Sequence, residues 1–348
     1  MAKKRVVVAM SGGVDSSVAA LLLTKAGYEV TGAHMLLAQK GERHEKNIRD
    51  LKETCRIIGI PLEVIDFHKE FDACVVRYFC QDYSNGLTPN PCVVCNKEIK
   101  FGRLLEWSRE HGADFLATGH YARIEKNSAG FHLLKARSLE SDQSYFLYRL
   151  GQDELSRVLF PIGSQKSKDE VRALALAANL PVSGRPKSHD ICFIPDGDYR
   201  SFIDKFITLK PGNIVDTDGK VLGHHKGLSG YTVGQRQGLG ISSRVGLYVL
   251  ELDVKNNRLI VGEREKLESQ SVRLRDLSWV SGKAPESGEG ITAKIRYRSK
   301  DVAVRLGIND NIAGVEFSEL QFAVTPGQSC VFYRGDEVLG GGIIVRSK

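Results

Sequence analysis

The residues of this sequence that are best suited to covalent chemistry are cysteines in two separate segments. Cys92 and Cys95 form a Cys-x-x-Cys pair within TPNPCVVCNKEIKF, residues 88–101, and Cys192 lies in a loop-like segment at residues 188–195. A single pair of this kind is compatible with half of a zinc site, a redox pair or part of an iron–sulfur ligand set. The sequence has no second pair that would complete a four-cysteine zinc site.

The position of Cys95 favours a reactive thiol. We expect a helix over residues 97–111, with Asn96 as its cap and Cys95 at its start. A thiol at a helix N-terminus has a lowered pKa, so more of it is present as the nucleophilic thiolate. The count of seven cysteines is odd, which argues against a disulfide scaffold. The others lie in helical or strand patterns and are predicted to be small buried residues: Cys55, Cys74, Cys80 and Cys330.

A second chemical feature is the loop SGGVDSS at residues 11–17, between a strand-like and a helix-like segment. Its glycines let backbone N–H groups approach an anion closely, and the following helix start adds a positive dipole end. No Gly-Lys-Ser/Thr follows, so the loop is not a Walker A motif. It also lacks the third glycine of the dinucleotide fingerprint. A phosphate-binding loop of another class is the prediction.

The elements around these residues alternate in the first half of the chain. Strands are predicted at residues 5–10, 28–35, 62–66 and 114–118, and helices at residues 16–26, 47–58, 70–83, 97–111 and 171–180. Ser167 and Glu170 have the spacing of a capping box before the last of these helices. Strands separated by helices predict an α/β fold with a doubly wound parallel sheet.

The composition changes near residue 199, after which Gly, Thr and β-branched residues dominate. Hairpins are predicted around residues 218–219 and 255–257, and successive short strands from residue 272 onward. We expect three domains: an α/β domain with the phosphate loop at residues 1–200, a small mixed or β-rich adaptor at 201–268, and a C-terminal small β-barrel or sandwich at 269–348. The family resemblance given below implies that the first is the ATP-binding catalytic domain and the last a barrel. Within the barrel, residues 294–300 alternate basic and apolar side chains, which predicts a strand with Lys294, Arg296, Arg298 and Lys300 on one face.

Charge and hydropathy restrict the class of protein. The net charge is +7 with a pI near 8.9, which favours a polyanionic partner such as RNA. No stretch approaches the roughly 20 apolar residues of a membrane helix. The apolar run at residues 6–10 is shorter than the apolar core of a signal peptide, so we interpret it as a buried strand. We therefore expect a cytoplasmic protein without a membrane partner, and a monomer.

The loop at residues 11–17 resembles that of the ATP-pyrophosphatase superfamily. Together with residues 88–101 it resembles the bacterial tRNA 2-thiouridylases, the MnmA family. The resemblance covers nearly the whole chain and continues through ATGHY (117–121), DQSYFL (142–147), GQRQGLG (234–240), VTPGQ (324–328) and the glycine run at 340–342.

The resemblance implies a reaction. ATP adenylates the C2 oxygen of the wobble uridine, a persulfide on Cys192 attacks C2, and Cys95 then frees the sulfur, leaving a Cys95–Cys192 disulfide. A sulfur-donor protein or relay would load Cys192. Asp15 would help to hold Mg²⁺, and Met35 would lie against the adenine. The ATP-binding residues implied are Ala9, Met10, Ser11, Gly12, Gly13, Val14, Asp15, Ser16, Met35 and Gly119.

The same resemblance implies contacts with the anticodon stem-loop of tRNA, from which the target base must be unstacked. Residues 90–92 occupy the family positions that contact the target base. The tRNA-binding residues implied are Asn90, Pro91, Cys92, His120, Ser141, Asp142, Gln143, Arg296, Tyr297, Arg298 and Gln328.

Two departures from the family pattern leave an alternative open. Cys92 stands where many members have Asp, so Cys92 is a third candidate catalytic residue. Cys92, Cys95 and Cys192 could instead hold a [4Fe–4S] cluster, with one iron left to bind the incoming sulfide. The segment at residues 36–49 is also shorter than usual, which could alter access to the adenine or to the sulfur donor.

Two other functions account for parts of the sequence. An amidotransferase-type synthetase would explain the phosphate loop but gives no role to Cys95, Cys192 or the basic C-terminal strands. A non-catalytic tRNA-binding protein with a dead nucleotide loop predicts damage to the loop or the cysteines, and both are intact.

Overall fold

The computed structural model describes residues 2–37, 42–182, 191–194, 197–286 and 288–346, without the side chains of residues 42–44. Its N-terminal part alternates strands and helices as the sequence predicts. The elements are β1 (Arg5–Ala9), α1 (Val14–Lys25), β2 (Glu29–Leu36), α2 (Glu42–Ile58), β3 (Leu62–Asp66), α3 (residues 68–84), α4 (residues 91–110), β4 (Phe115–Ala117), β5 (Ala122–Asn127), β6 (Gly130–Lys135), α5 (Gln152–Leu155), β7 (Val158–Leu159), α6 (Lys168–Ala177) and α7 (Tyr199–Ile203). Within these described ranges, no helix is long and apolar enough to span a bilayer.

The first sheet is parallel, with strand order β3-β2-β1-β4-β7. Side chains of a strand point alternately to its two faces, and β1 uses both. Val6 and Val8 pack in one core with α1, α2 and α6, whereas Val7 packs in the other with α3 and α4. The α/β fold class of this part is confirmed.

Two further sheets follow. A mixed four-stranded sheet has the order β10-β11-β8-β9, and the C-terminal strands form a barrel with the order β12-β15-β14-β13-β16-β17, closed by pairing of β12 with β17. Their bounds are β8 (Gly212–Val215), β9 (Val221–His225), β10 (Tyr248–Asp253), β11 (Arg258–Gly262), β12 (Glu268–Trp279), β13 (Ile291–Lys294), β14 (Val302–Asn309), β15 (Ile312–Phe322), β16 (Ser329–Arg334) and β17 (Glu337–Ile344). The predicted small mixed sheet and barrel are confirmed.

A hairpin of the N-terminal part also pairs with the barrel. The antiparallel pair β5–β6 meets β17 at Leu134 and Glu337, and the guanidinium group of Arg123 lies 3.0 Å from the carboxylate of Asp336. The sequence interpretation assigned no strands at residues 122–135. Because the hairpin bridges the α/β unit and the barrel, these two parts share one packed core.

Two local predictions are wrong. The cysteine helix begins at Pro91, not near residue 97, because Asn90 takes the cap position and proline suits the first helical position. The side chain of Asn96 instead donates to the carbonyl of Phe146, at 3.1 Å. The predicted strand at residues 294–300 ends at Lys294, since β13 covers only Ile291–Lys294 and a turn follows. The four basic side chains therefore do not share a strand face.

Candidate active site

The strand order places two loops side by side at one edge of the first sheet. β1 pairs with β2 on one side and with β4 on the other, so the connections after β1 and β4 leave in opposite directions. Such a switch point opens a crevice beyond the carboxyl ends of the strands, where ligands bind in open α/β sheets. The phosphate loop follows β1, and residues 118–121 follow β4.

The phosphate loop is closed by its own hydroxyl groups. The Ser16 and Ser17 hydroxyls donate to the carbonyl of Gly13 at 3.1 and 2.9 Å, and the Ser11 amide donates to Ser16 Oγ at 3.3 Å. Gly12 has a φ of 86°, a conformation that suits glycine, and Gly13 is extended at the cap of α1. Val14 and Asp15 form the first turn of α1. The loop thus points the start of a helix into the crevice.

The loop after β4 touches this turn directly. A side chain on Gly119 would place its Cβ 2.6 Å from the amide nitrogen of Ser16 and 2.7 Å from the carbonyl carbon of Asp15. The Tyr121 hydroxyl donates to Asp15 Oδ1 at 2.8 Å, and the Lys168 ammonium lies 3.4 Å from Asp15 Oδ2. Both oxygens of the Asp15 carboxylate therefore have partners at the mouth of the crevice.

The remaining predicted ATP residues lie on β1 and β2. Ala9 ends β1, and the buried Met10 follows it, with its amide donating to the carbonyl of Ala33 at 2.7 Å. Met35 lies one residue before the end of β2. It is partly buried and packs against the core that contains Val7. Its proposed contact with adenine remains a prediction.

Cys95 lies in the second turn of α4 and is buried, not at a helix start. Burial raises the pKa of its thiol to about 12, despite the opposing charge of Lys100. The predicted lowering of the Cys95 pKa by a helix N-terminus is therefore wrong. In this structure the group is a neutral thiol at pH 7.

We expect iodoacetamide at pH 8 to alkylate Cys92 and Cys192 before Cys95, because only thiolates react and Cys95 is both protonated and covered. Peptide mass spectrometry over a time course measures the order. Alkylation of Cys95 first would contradict the buried arrangement.

The other two thiols face Cys95. Cys92 and Cys192 are partly exposed, yet the surrounding protein desolvates their thiols and raises the pKa of both. The charge of Cys192 adds to the rise for Cys92 and for Cys95, and the ammonium group of Lys100 lowers the pKa of all three. The fold thus brings Cys192 near Cys92 and Cys95, which are far from it in sequence, beside the cation Lys100.

Lys100 reaches this position because α4 changes its winding. The helix is α-helical over Pro91–Val94, π-helical over Cys95–Leu104 and α-helical again over Leu105–Glu110. At about 3.6 residues per turn, residues five apart lie about 140° apart around the helix axis. A π-helix pairs residue i with i+5, which aligns Lys100 with Cys95. π-helical segments are common at functional sites.

His120 lies in the loop after β4, and the charge of Lys100, which acts on the sulfur residues, also acts on His120. It is buried, its Nδ1 lies 2.7 Å from the Thr118 hydroxyl, and its ring lies 5.8 Å from that of Phe101 and 6.0 Å from that of Phe160. Burial and, to a smaller extent, the charge of Lys100 hold the pKa of His120 well below its usual value. The imidazole is therefore neutral at pH 7.

The other predicted tRNA residues near residue 142 hold the protein together in this structure. The buried Asp142 accepts hydrogen bonds from the Ala136 amide, at 2.9 Å, and from the Ser144 hydroxyl, at 2.8 Å. Gln143 Oε1 accepts from the Tyr121 amide at 3.0 Å, and Ser141 ends a short 3₁₀ turn beside them.

The predicted barrel residues divide into two groups. The Arg296 guanidinium donates to the Ala323 carbonyl, and the Tyr297 ring packs against that of Phe146 at a tilt of 40°, with centroids 4.5 Å apart, whereas Arg298 is exposed. Gln328 Nε2 donates to two successive carbonyls, those of Thr88 at 3.0 Å and Pro89 at 3.2 Å. Gln328 therefore holds the segment that leads to Asn90, Pro91 and Cys92.

Replacing Gln328 with alanine is expected to destabilise the protein by about 1–2 kcal/mol, since two hydrogen bonds at about 1 kcal/mol each are lost. The midpoint of urea unfolding measures this change. Gln237→Ala, at an exposed position, is the matched control. Equal midpoints for the two variants would show that these hydrogen bonds contribute nothing to stability.

The side chains at the site fit Mg²⁺ better than they fit a [4Fe–4S] cluster. Mg²⁺ is usually held by one or two carboxylates together with substrate phosphates, so the single Asp15 carboxylate at the phosphate loop fits. A [4Fe–4S] cluster needs several thiolates in ligating positions. In the described part of the chain, no three Cys, His, Asp or Glu side chains are grouped to hold a metal ion. The thiols at 92, 95 and 192 therefore do not form a ready ligand set for a cluster in this structure.

Three site residues were given no role from the sequence: Lys100, Tyr121 and Lys168. Tyr121 follows His120 within the ATGHY segment at residues 117–121. In an extended segment successive side chains point to opposite sides, which could have indicated that Tyr121 and His120 point apart. Lys168 follows the capping residue Ser167 directly. Ordinary helical periodicity does not place Lys100 beside Cys95.

Comparisons with known proteins cover the whole chain. The profile described as tRNA methyl transferase HUP domain matches residues 4–196, the tRNA methyl transferase PRC-barrel domain matches 200–263, and the aminomethyltransferase beta-barrel domain matches 269–344. A protein of Acidithiobacillus ferrooxidans named tRNA-specific 2-thiouridylase MnmA is 46% identical over 99% of both chains. A protein of Syntrophus aciditrophicus, named tRNA-specific 2-thiouridylase MnmA 1, is 45% identical over 98% of this chain and 93% of its own. A solved 4-thiouridine synthetase–RNA complex with bound ATP is more remote, with 15% identity and a TM-score of 0.35 over 58% of this chain and 50% of that one.

Proposed function

We propose that this chain, which belongs to the MnmA family of tRNA-specific 2-thiouridylases, replaces the C2 oxygen of the wobble uridine of tRNA with sulfur at the expense of ATP. The observation that carries the proposal is the loop after β4. Gly119 and Tyr121 contact the start of α1, while the neighbouring His120 is influenced by the charge of Lys100, which also acts on the three thiols. A base in this crevice would lie between the phosphate loop and the sulfur residues.

The first step activates the base. A carbonyl oxygen is a poor leaving group, so the C2 oxygen first attacks the α-phosphorus of ATP and pyrophosphate departs. Mg²⁺, with Asp15 as its protein ligand, would neutralise charge on the phosphates. Backbone amides at the start of α1 face the same anion. The C2 carbon is then electrophilic, with AMP as its leaving group.

The second step transfers sulfur. A persulfide on Cys192, supplied by a donor protein, attacks C2 through its terminal sulfur, and AMP leaves. Cys95 then attacks the Cys192 sulfur, so that the S–S bond breaks, the terminal sulfur stays on the base and a Cys95–Cys192 disulfide forms. A thiol reductant restores both residues. Cys95 must lose its proton for this step, and the adjacent Lys100 stabilises the resulting thiolate.

The substrate would contact more than one part of the protein. In this proposal residues 90–92 contact the target base, His120 touches the tRNA and residues 141–143 contact the anticodon stem-loop. Arg296, Tyr297, Arg298 and Gln328 extend the contact along the barrel. The net charge of +7 supports a polyanionic substrate. We also propose the domain limits of 200 and 268, a monomer and a location in the cytoplasm.

Incubation with ATP, a protein donor that carries persulfide sulfur and unmodified tRNA tests the function. We expect 2-thiouridine in the digested tRNA, by mass spectrometry, together with AMP and pyrophosphate. Formation of AMP and pyrophosphate only with a small carboxylic acid would instead indicate an amide synthetase. If neither 2-thiouridine nor AMP and pyrophosphate form, the result would indicate a tRNA-binding protein.

Anaerobic purification followed by iron and acid-labile sulfide analysis separates the persulfide and cluster routes. The persulfide route predicts a colourless, iron-free protein that thiolates tRNA at full rate. Activity that requires about four irons per chain would overturn that route.

A further inference from the structure

The molecule leaves one phenylalanine ring in solvent, that of Phe206. It is 53% exposed, and it is the only exposed one of the 14 phenylalanines, all of which lie within the described residues. Its amide donates to the carbonyl of Ile203 at 2.8 Å, in the turn that follows α7. Ile203 is buried in the core that contains Val7, so this turn has a defined position. A ring that is held in place but left half in water contributes little burial to the fold.

A row of aromatic rings connects Phe206 with the segment that carries Cys192. The ring centroid of Phe206 lies 5.2 Å from that of Phe202, which in turn lies 5.4 Å from that of Phe193. Phe193 directly follows Cys192, is buried, and makes edge contacts with two phenylalanine rings of α3. The same group of rings therefore positions both the Cys192 segment and Phe206.

The surface along this row is apolar and reaches an exposed thiol. Ile191, Phe202 and Ile207 are half-buried, so part of each side chain is in contact with solvent, and Cys192 is exposed. A single exposed apolar residue is ordinary on a protein surface. Several exposed apolar groups beside a reactive residue are typical of a contact surface for a partner. We call Ile191, Phe202, Phe206 and Ile207 the Phe206 surface.

The chemistry of Cys192 requires close contact with whatever loads it. The Cys192 thiolate attacks the terminal sulfur of a donor persulfide, the S–S bond of the donor breaks, and the donor leaves as a thiolate that takes up the proton lost by Cys192. One persulfide is consumed and one is formed, so the step needs no oxidant or reductant. Because the two cysteines must come within bonding distance of one sulfur atom, a protein donor must cover the surface around Cys192.

The charges beside the Phe206 surface favour a partner with acidic groups. Within residues 198–210, three exposed cations stand against two exposed carboxylates: Arg200, Lys205, Lys210, Asp198 and Asp204. The Asp198 carboxylate is engaged as the cap of α7, where it accepts from the Ser201 amide at 3.1 Å. The excess of positive charge would attract acidic side chains and repel a basic partner.

We propose that the Phe206 surface is the docking surface for the protein that delivers persulfide sulfur to Cys192. The Phe206 ring is the central apolar contact, and acidic groups of the donor lie opposite Arg200 and Lys205. Aromatic residues that become covered on binding often carry much of the affinity of an interface. This inference rests on the proposed function, in which Cys192 receives sulfur from a donor. A persulfide of low molecular mass would reach Cys192 without this surface.

Loading of Cys192 by two different donors tests the surface in the full chain. One donor is a cysteine desulfurase charged with cysteine, which carries a persulfide on its own cysteine, and the other is glutathione persulfide. In Phe206→Ser we expect the rate of loading by the desulfurase to fall about 10-fold or more, while the rate with glutathione persulfide stays the same. Peptide mass spectrometry after alkylation measures the persulfide on Cys192 over time.

Two further variants serve as controls. Phe206→Trp keeps a large aromatic side chain and should retain most of the rate with the desulfurase. Leu176→Ser replaces another apolar residue, which is 67% exposed near the end of α6, and should leave both rates unchanged.

Three results would overturn the docking surface. An unchanged desulfurase rate in Phe206→Ser excludes the contact, and an equal fall with both donors shows that Phe206 only holds the Cys192 segment in place. Loading of the unchanged protein by the desulfurase no faster than by an equal concentration of glutathione persulfide shows that no docking occurs.

The same measurements separate this inference from the proposed function. Failure of both donors to load Cys192 would overturn both. A fall confined to the desulfurase, in a protein whose loaded Cys192 does not thiolate tRNA, would support the docking surface and refute only the thiolation.

Discussion

Replacing Cys192 with serine is expected to lower the rate of tRNA thiolation by about 10³-fold or more, because a serine hydroxyl cannot carry the persulfide sulfur. The side chain is exposed, so the variant should fold normally. Affinity for ATP should stay the same, since the phosphate loop is unchanged. The measurement is 2-thiouridine formed per minute under saturating ATP, with ATP affinity determined separately.

Cys95→Ser should also abolish thiolation, but for a different reason. In this variant Cys192 can still accept sulfur, so mass spectrometry should detect a persulfide on Cys192 after incubation with the sulfur donor. Cys74→Ser, at a half-buried position on α3, is the control and should retain full activity. Thiolation by Cys192→Ser at the normal rate would refute the assignment of Cys192.

Cys92 stands at a position where the resemblance described above leads us to expect Asp in many family members. An aspartate would be ionised at pH 7, whereas burial raises the pKa of the Cys92 thiol and keeps it neutral. If this position served as a general base, the neutral thiol would be a poor one. Lys100 is then the charged side chain that acts at this point.

The order of elements around the phosphate loop could be predicted from the sequence because it depends on local patterns. The apolar run of β1 and the glycines at residues 12–13 identify a strand, a turn and a helix without knowledge of the rest of the chain. The meeting of Cys95 with Cys192 is different, because only the packing of the segment at residues 191–194 against α3 and α4 brings it about.

The errors share a physical origin. Asn96 has a good capping side chain, but Asn90 followed by proline caps α4 six residues earlier and leaves Cys95 buried in the second turn. The alternation at residues 294–300 is that of a strand, but Arg296 turns inward to the Ala323 carbonyl. In both cases a tertiary contact outweighs the local pattern, and the π-helical winding that aligns Lys100 with Cys95 has no signature in simple periodicity.

The methyl group added by Gly119→Ala should disrupt the ATP site more than a methyl group added at any other glycine of the crevice. The added Cβ would lie 2.6 Å from the Ser16 amide nitrogen and 2.7 Å from the Asp15 carbonyl carbon, and neither backbone atom can rotate away. The start of α1 must shift, which costs about 1–3 kcal/mol and moves the amides that face the phosphates.

We therefore expect Gly119→Ala to remain folded but to bind ATP at least about 10-fold more weakly, with an equal fall in pyrophosphate release. Gly288→Ala is the control, because its Cβ would have no atom within 4 Å. Calorimetric titration gives the affinity, and thermal unfolding gives the stability. Unchanged ATP affinity in Gly119→Ala would mean that the crevice between the loops after β1 and β4 is not the nucleotide site. A loss confined to this variant would link ATP binding to the loop that also carries His120, on which the charge of Lys100 acts.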